Sequence, residues 1–332
     1  MSIDEAYLPL LIKRIVAMRT SPRSDDRGSA PEASSPRQDD ASVVSANVLT
    51  FGEVDGFLTR YLSLPASGQD PNLPYPGLGY AARIETETIG LVIFFLYASV
   101  IQDENLCFLF GAVDPSHRRR GVGARLATEA ISAARRAVAR PVFLVTLPER
   151  DPEPAAALLS RLQFEEIDRQ IHFERKLRGA DRNSDATGFD VRVYGGGDSS
   201  LDTVIMDLHR RAYRNRQGTP DLTINLLAQR LASHCQYVLL YAGERLIGYS
   251  SLWPDRDDCF ADCIAVDRRY WRSGASDALA SAVLRTASEL GCAKISADAT
   301  SSDRPACNML VRHGLRQVKV TRRFRLGPPA GA

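Results

Sequence analysis

The chain of 332 residues has little net charge and very few lysines. Lysine and arginine together number 42, against 40 acidic residues, which gives a formal net charge of +2. Lysine occurs at four positions: Lys13, Lys176, Lys294 and Lys319. A near-neutral chain of this length is not expected to have bulk nucleic acid or an anionic membrane as its main partner. Any basic function must therefore be local.

The N-terminal segment lacks the length and charge pattern of a membrane anchor or a secretion signal. Its apolar stretch is short, is interrupted by Pro9 and Lys13, and follows acidic rather than basic residues. We expect a short amphipathic helix that packs on the body. A disordered linker rich in Ser, Pro, Asp and Arg should then extend from Thr20 to about Ala46.

Metal-binding patterns are also missing. None of the six cysteines forms a CxxC pair, and no histidine lies near enough in sequence to complete a ligand set. The cysteines lie mostly in apolar runs: Cys107, Cys235, Cys259, Cys263, Cys292 and Cys307. We expect reduced, buried thiols in a cytoplasmic protein with no metal site.

Beyond the linker, the chain contains the same order of elements twice. Val113 and Val266 lie 153 positions apart, as do Gly121 and Gly274. Strand-like and helix-like runs alternate around both pairs, including two strands predicted between Phe164 and Leu177. The sequence therefore predicts an internal duplication in the α/β (α+β) class. The predicted units are 1–46 (helix and linker), 47–178 (first domain) and 188–327 (second domain).

The stretch "VDPSHRRRGVGARL", from Val113 to Leu126, joins a predicted central strand to a helix. The first turn of a helix is a natural anion site, glycines let the backbone approach a ligand, and arginines add charge and forked donors. The stretch fits neither a Walker loop, which ends in Gly-Lys-Ser/Thr, nor a dinucleotide fingerprint, which has a third glycine where Leu126 stands. A pyrophosphate is the expected ligand, and a solvated arginine turn is the structural alternative.

The spacing V-x-P-x-x-R-x-x-G-x-G resembles the acetyl-CoA-binding signature of the GCN5-related N-acetyltransferase (GNAT) family. The segments "AALLSRLQFEEI" and "NMLVRHGLRQV" resemble that family's closing segment, one in each half. The resemblance covers nearly all of Val43 to Leu326. It implies two tandem GNAT-like domains, each with a mixed, mostly antiparallel central sheet flanked by helices, similar to the architecture of mycothiol synthase.

The resemblance also implies a cofactor site in the first half. A bulged fourth strand would bind the pantetheine arm, and the following loop would hold the pyrophosphate of acetyl-CoA or another short acyl-CoA. The residues that match these positions are Ala112, Val113, Arg118, Arg119, Arg120, Gly121, Val122, Gly123 and Ala124.

The second half departs from the signature. Trp271 stands where the family has arginine or glutamine, and Ser276 where it prefers glycine or alanine. Trp271 is expected to crowd the phosphate loop, so we predict that the first half binds CoA and that the second is degenerate. In mycothiol synthase the second half is the catalytic one, so that enzyme serves as an analogue only.

Catalytic residues are less clear from the sequence. The candidate bases are Glu104, at the edge of the predicted fourth strand, and Asp262, on the equivalent strand of the second half, each with a structural alternative. The tyrosine that the family often uses as an acid falls at Leu159 and Leu310, which cannot donate a proton. His117 is interpreted as a surface residue or a phosphate contact.

The sequence thus predicts an acetyl-CoA-dependent N-acetyltransferase acting on a small-molecule amine. The alternative is a non-catalytic CoA-binding or regulatory protein. We expect a cytoplasmic monomer or homodimer that has neither nucleic acid nor a membrane as a partner.

Overall fold

The structure is a computed structural model that describes most of the chain beyond residue 77. The described residues are 42–45, 54, 56–57, 78–85, 87–99, 104–148, 153–178, 188–196, 198–214, 219, 221–223, 227, 231 and 235–327. The predicted N-terminal helix and most of the predicted linker lie outside this range. The last part of that linker is an exception, because Ser42–Ser45 forms a strand that pairs with the edge of the sheet.

Twelve strands form the sheet. They are β1 (Ser42–Ser45), β2 (Leu78–Ile84), β3 (Glu87–Ala98), β4 (Asn105–Val113), β5 (Pro141–Pro148), β6 (Glu165–Lys176), β7 (Asp190–Tyr194), β8 (Gln236–Ala242), β9 (Arg245–Asp255), β10 (Asp258–Val266), β11 (Lys294–Thr300) and β12 (Arg316–Leu326).

Five helices in the described part of the chain have assigned bounds. They are α1 (Val122–Ala137), α2 (Glu153–Arg161), α3 (Ser199–Tyr213), α4 (Ala275–Glu289) and α5 (Arg304–Arg312). Side chains start two of them: Asp198 accepts hydrogen bonds from the N–H groups of Ser200 and Leu201, and Asp303 accepts one from Ala306. None of the described helices is long and apolar enough to span a membrane.

All twelve strands belong to one continuous sheet in the order β1-β2-β3-β4-β5-β12-β6-β11-β10-β9-β8-β7. Two pairs are parallel, β4 with β5 and β10 with β11, and the other pairs are antiparallel. The fold class predicted from the sequence is confirmed, and each half has its mixed set of strands. The two sets are joined edge to edge rather than forming two separate sheets.

The two halves exchange their last strands. β12, the end of the second half, pairs with β5 on one side, and β6, the end of the first half, pairs with β11. The prediction of two strands between Phe164 and Leu177 is therefore wrong, since this segment forms the single strand β6. The strand expected beside β6 within the first half is replaced by β12 of the other half, which a local pattern cannot reveal.

The helices pack on the sheet through apolar residues at helical spacing. In the first half, Leu126 and Ala130 of α1 join Cys107 of β4 and Phe143 of β5 in one buried cluster. In the second half, α4 covers one face of β8 to β10 and α3 covers the opposite face. With the helices packed on the sheet in this way, α1 starts near the end of β4 and α4 starts near the end of β10.

Candidate functional site

Strands β4 and β5 diverge in the middle of the sheet. Their pairing begins at Asn105 with Pro141 and ends at Leu109 with Val145, although both strands continue. Beyond that point Ala112 and Val113 pair with β3 only, among the described strands. A gap therefore opens between β4 and β5 on the side that leads to the arginine and glycine turn.

The turn after β4 has a compact, capped backbone. The side chain of Asp114 accepts a hydrogen bond from Ser116 N–H, and a 3₁₀ turn over Pro115–His117 follows. Arg118 Nε donates to the carbonyl oxygen of Val113 at 3.1 Å. This contact folds the Arg118 side chain back over the end of β4, where it places positive charge beside the gap.

Gly121 ends this turn and starts α1. Its φ of 80° lies in the left-handed region, and no atom lies within 4 Å of the position that a Cβ would take. Glycine is needed here for its backbone conformation rather than for space. The first helical bond runs from Arg125 N–H to Gly121 O, so the N–H groups of Val122, Gly123 and Ala124 precede it and have no acceptor within the helix.

Gly123 lies between the end of β4 and α2. A Cβ at this position would lie 3.5 Å from the side chains of Val113 and Leu158. These distances are ordinary contacts, so packing alone does not demand glycine.

The second half repeats the start and the end of this turn but not its middle. Asp267 caps Arg269 N–H as Asp114 caps Ser116, and Gly274 starts α4 with a φ of 82°. Trp271 Nε1 donates to Val266 O at 2.9 Å, the counterpart of the Arg118 contact, and its ring is 51% exposed. The backbone differs at this position, since Arg118 is extended with a ψ of 158° whereas Trp271 is helical with a ψ of −26°. That Trp271 crowds the phosphate loop stays a prediction.

What differs in the second half is the charge at the helix start. Asp277, in the first turn of α4, accepts hydrogen bonds from Arg312 Nη2 at 2.9 and 3.1 Å and lies 3.2 Å from His313 Nε2. Burial alone would raise the pKa of Asp277, but the hydrogen bonds from Arg312 and His313 hold it below its ordinary value. The carboxylate thus ties α4 to α5 at the place where α1 carries Ala124.

Glu104 lies at the far end of β4 from the turn. It precedes Leu109, where the β4–β5 pairing ends, by five residues, roughly 17 Å along a strand. Its Oε1 accepts a hydrogen bond from Arg325 Nη2 of β12 at 2.8 Å. Glu104 is therefore one end of an ion pair between the exchanged strand and the first half.

Asp262 lies at an irregularity of β10. The register between β9 and β10 shifts between Ala261 and Ile264, and Cys263 Sγ lies 3.7 Å from Asp262 Oδ2. By contrast, β4 pairs with β3 without any register shift. The bulge expected in the fourth strand is therefore found in the second half and not in the first.

Three buried side chains at or near the candidate site are not placed to act as acids or bases. Cys107, on β4, is fully buried, and this burial raises its pKa to about 12. Leu159 and Leu310, at the positions of the family's tyrosine, are both buried and carry no ionisable group. His117 lies in the turn after β4, where its Nδ1 is 2.9 Å from Ser116 Oγ and its side chain is 18% exposed. Among the described residues no group of three or more His, Cys, Asp or Glu side chains could hold a metal ion.

One polar cluster was not predicted from the sequence. His172 of β6 and Asp298 of β11 face each other across the junction of the two halves, with Gln170 and Glu174 beside them. The partners are 126 residues apart, so no local pattern points to them. The sequence offered one sign of this cluster, which was a histidine in a strand of alternating polar and apolar residues.

The fold and the turn together define a class of protein. A mixed sheet whose parallel central strands diverge beside a basic, glycine-started helix is the framework of acyl-CoA-dependent N-acyltransferases. The profile of the "Acetyltransferase (GNAT) family" matches the chain twice, at residues 55–162 and 203–315, which is more than half of its length. The chain therefore belongs to the GNAT family, in tandem form.

Solved structures share this fold at low sequence identity. A GCN5-related N-acetyltransferase from Sphaerobacter thermophilus has a TM-score of 0.59 and 13% identity, over 87% of this chain and 96% of that one. A putative acetyltransferase from Pyrococcus horikoshii has a TM-score of 0.59 and 13% identity, over 90% and 94%. A tandem GNAT protein from the clavulanic acid biosynthesis pathway has a TM-score of 0.57 and 15% identity, over 87% and 99%. A search of curated proteins found no match.

Proposed function

We propose that the first half binds acetyl-CoA, or another short acyl-CoA, and that the protein transfers the acyl group to the amine of a small molecule. The observation that carries this proposal is the difference between the two turns in backbone, in the placement of arginines and in one carboxylate. In the first turn Arg118, Arg119 and Arg120 stand directly before Gly121, and Arg119 has a left-handed φ of 63°. In the second turn Trp271 and Ser273 replace two of these arginines, and the arginines are Arg268, Arg269 and Arg272. Asp277 also stands in the first turn of α4, where α1 has Ala124. A pyrophosphate at the start of α1 would therefore meet cations and open N–H groups, whereas at the start of α4 it would meet a carboxylate.

The residues of the first half that would hold the cofactor are those of the β4–α1 turn. The N–H groups of Val122, Gly123 and Ala124 would bind phosphate oxygens, and Arg119 and Arg120 would add charge. Ala112 and Val113, which have no described partner on the β5 side, would contact the arm. When bound, the acyl-CoA supplies a thioester whose thiolate is a fair leaving group, since a thiol has an ordinary pKa of about 8.5.

We propose that the chain promotes acyl transfer mainly by positioning the reactants rather than by transferring protons. An attacking amine must be neutral, and a nearby base would help it. Glu104 is separated from the gap and paired with Arg325, and Asp262 lies at the bulge of the other half. Neither is therefore placed to act at the first turn, and we propose direct attack by the neutral amine, with backbone N–H groups at the gap supporting the developing charge.

The second half supplies the strand that supports the gap from behind. β12 pairs with the edge of β5 that faces away from β4, so it lies one strand away from the gap between β4 and β5. Sites between structural units are common positions for small ligands. We propose that the acceptor amine enters on the side of the gap where the two halves meet.

The test is calorimetric titration of the purified chain with acetyl-CoA and, separately, with desulfo-CoA. We expect one site per chain for both ligands. Two sites would contradict the assignment of a degenerate second half. The absence of any binding would mean that the arginine and glycine turn is only a surface turn.

Two matched variants locate the site. Gly121→Glu and Gly274→Glu place the same side chain at positions with the same left-handed backbone, so both are equally strained. Gly121→Glu should abolish binding by steric and charge repulsion, whereas Gly274→Glu should leave the dissociation constant within about twofold of wild type. Loss of binding in Gly274→Glu alone would reverse the assignment of the halves.

A non-catalytic CoA-binding protein is the second candidate. The observation that favours it is that the described residues around the gap offer neither a placed base nor a tyrosine acid, since Leu159 occupies the latter position. Release of free CoA thiol during incubation of acetyl-CoA with a panel of amines discriminates the two. Binding without amine-dependent release would favour the non-catalytic protein.

A further inference from the structure

The exchanged strand β6 carries two different rows of side chains into the second half. Ile171 and Phe173 pack in the apolar cluster beneath α4 and α5. On the opposite face, the alternation of a strand places Asp168, Gln170, His172 and Glu174 in one row. This polar row meets β11 of the second half, with His172 directly opposite Asp298.

His172 lies between two carboxylates. Its Nδ1 is 2.5 Å from Asp298 Oδ1, and its Nε2 is 3.3 Å from Glu174 Oε1. The second oxygen of Asp298 accepts a hydrogen bond from Gln170 Nε2 at 2.6 Å. The His172 side chain is only 12% exposed, so water competes weakly for these contacts.

Two lysines also lie near the ring, one on β11 and one on β12. On β11, Lys294 Nζ lies 3.6 Å from Glu174 Oε1 and 3.1 Å from Asp258 Oδ2 of β10. On β12, Lys319 is opposite His172 in the register. The groups in direct contact with the two ring nitrogens are both acidic.

A neutral imidazole has one N–H donor, whereas the protonated ring has two. With a carboxylate at each nitrogen, only the protonated ring can donate to both. Glu174 lies on β6 with His172, so Asp298 is the partner across the junction, and the hydrogen bond to Asp298 is stronger when the ring is charged. We propose that His172 is a protonation-dependent clasp between the two halves: the protonated ring ties β6 to β11, and loss of one proton weakens this tie. The proposal does not depend on whether the first half binds acyl-CoA.

The direction of the effect follows from the surroundings. Burial by itself would lower the pKa of His172, but the hydrogen bond and charge of Asp298, together with Glu174, raise it above its ordinary value. A raised folded-state pKa stabilises the protein fully below the unfolded value of about 6.5. This contribution is lost as the pH rises through the folded-state pKa.

Urea unfolding of the full chain tests the clasp. We expect His172→Gln to lower the unfolding midpoint most near pH 5.5, and the shift from wild type to shrink steadily towards pH 9. Ser301→Ala is the matched control, because Ser301 Oγ of the second half donates to Asp168 of β6 at 2.8 Å without any imidazole. Its shift should be the same across this range. A His172→Gln shift that does not depend on pH would overturn the proposal.

A second measurement uses the wild-type chain, in case His172→Gln does not fold. The His172 ring, assigned by NMR through backbone connectivity, should titrate at a higher pH than histidines of the unfolded chain. Amide exchange in 165–176 and 294–300, corrected for its intrinsic pH dependence, should increase as that ring loses its proton. A ring that titrates below the unfolded value, or exchange that ignores the titration, would overturn the proposal.

Discussion

At the scale of single residues, the two turns share their ends and differ in the middle. Gly121 and Gly274 share a left-handed backbone that costs a non-glycine residue about 1 kcal/mol or more. Arg118 and Trp271 both donate to the carbonyl at the end of the preceding strand. Their backbones differ, because Arg118 is extended and Trp271 is helical, and Arg119 has a left-handed φ of 63°. The exchange of arginine for tryptophan is therefore accompanied by a change in the path of the turn as well as by the loss of a charged donor.

Cys107 gives a prediction at the same scale. Because burial raises its pKa to about 12, its thiol stays protonated at pH 8 and should not react with iodoacetamide in the native protein. Cys307, which is only half-buried, should be alkylated faster. Peptide mass spectrometry after timed labelling measures both rates, and labelling in urea supplies the reference for full reactivity. Equal native rates at the two sites would contradict the burial of Cys107.

At the scale of elements, the start of α4 and the end of α5 are tied together. Asp277 supplies the contact to Arg312 and His313, and it stands in the first turn of α4. In the first half the matching position is Ala124, so α1 is not tied to α2 in this way. One side chain thus stabilises the second half and makes its helix start less suited to an anion.

The Asp277 contact predicts a pH dependence. A carboxylate whose pKa is lowered on folding contributes stability above its unfolded pKa, and this contribution is lost as the pH falls through the folded-state value. Asp277→Asn should lower the free energy of unfolding at pH 7, by less than about 1 kcal/mol because the pair is exposed to solvent.

Urea unfolding from pH 7 down to the lowest pH at which the chain stays folded measures this difference. The difference between wild type and Asp277→Asn should diminish at the acidic end. Arg312→Gln should follow the same trend, since it removes the other partner of the contact. A difference that grows as the pH falls would contradict this interpretation.

At the scale of the whole molecule, the exchange of β6 and β12 makes each half depend on the other. β12 lies between β5 and β6, and β6 lies between β12 and β11. The described sheet therefore has no edge at the boundary between the halves. The second half supplies a strand to the first, whether or not its own turn binds a ligand.

This arrangement predicts the effect of truncation. A chain that ends at Leu315 lacks β12 and leaves β5 and β6 without their shared neighbour, so it should lose acetyl-CoA binding although every residue of the β4–α1 turn is present. A chain that ends at Gly327 keeps β12 and is the control. Calorimetry and circular dichroism of both chains test the prediction. Unchanged affinity in the shorter chain would show that the first half folds without the second.

Much of the local structure could be predicted from the sequence. The strand Asn105–Val113 and the start of α1 after Gly121 follow from patterns within one short stretch, and the duplication follows from the recurrence of such patterns 153 positions later. These features depend on local backbone preferences and on the alternation of apolar residues. Both are properties of the segment itself and do not depend on its tertiary surroundings. The family signature lies entirely within such a stretch.

Only the tertiary structure decided the strand exchange, the place of the bulge and the partners of the charged residues. Asp298 meets His172 and Arg325 meets Glu104 across separations of 126 and 221 residues. Pairing of this kind depends on which strand edges meet, and the sequence of β6 is compatible with either a neighbour from its own half or one from the other. The sequence by itself determined the elements and the chemistry of the β4–α1 turn. The tertiary structure decided which side chains face one another, because the edges of two strands form the same hydrogen bonds however far apart the strands lie in the sequence.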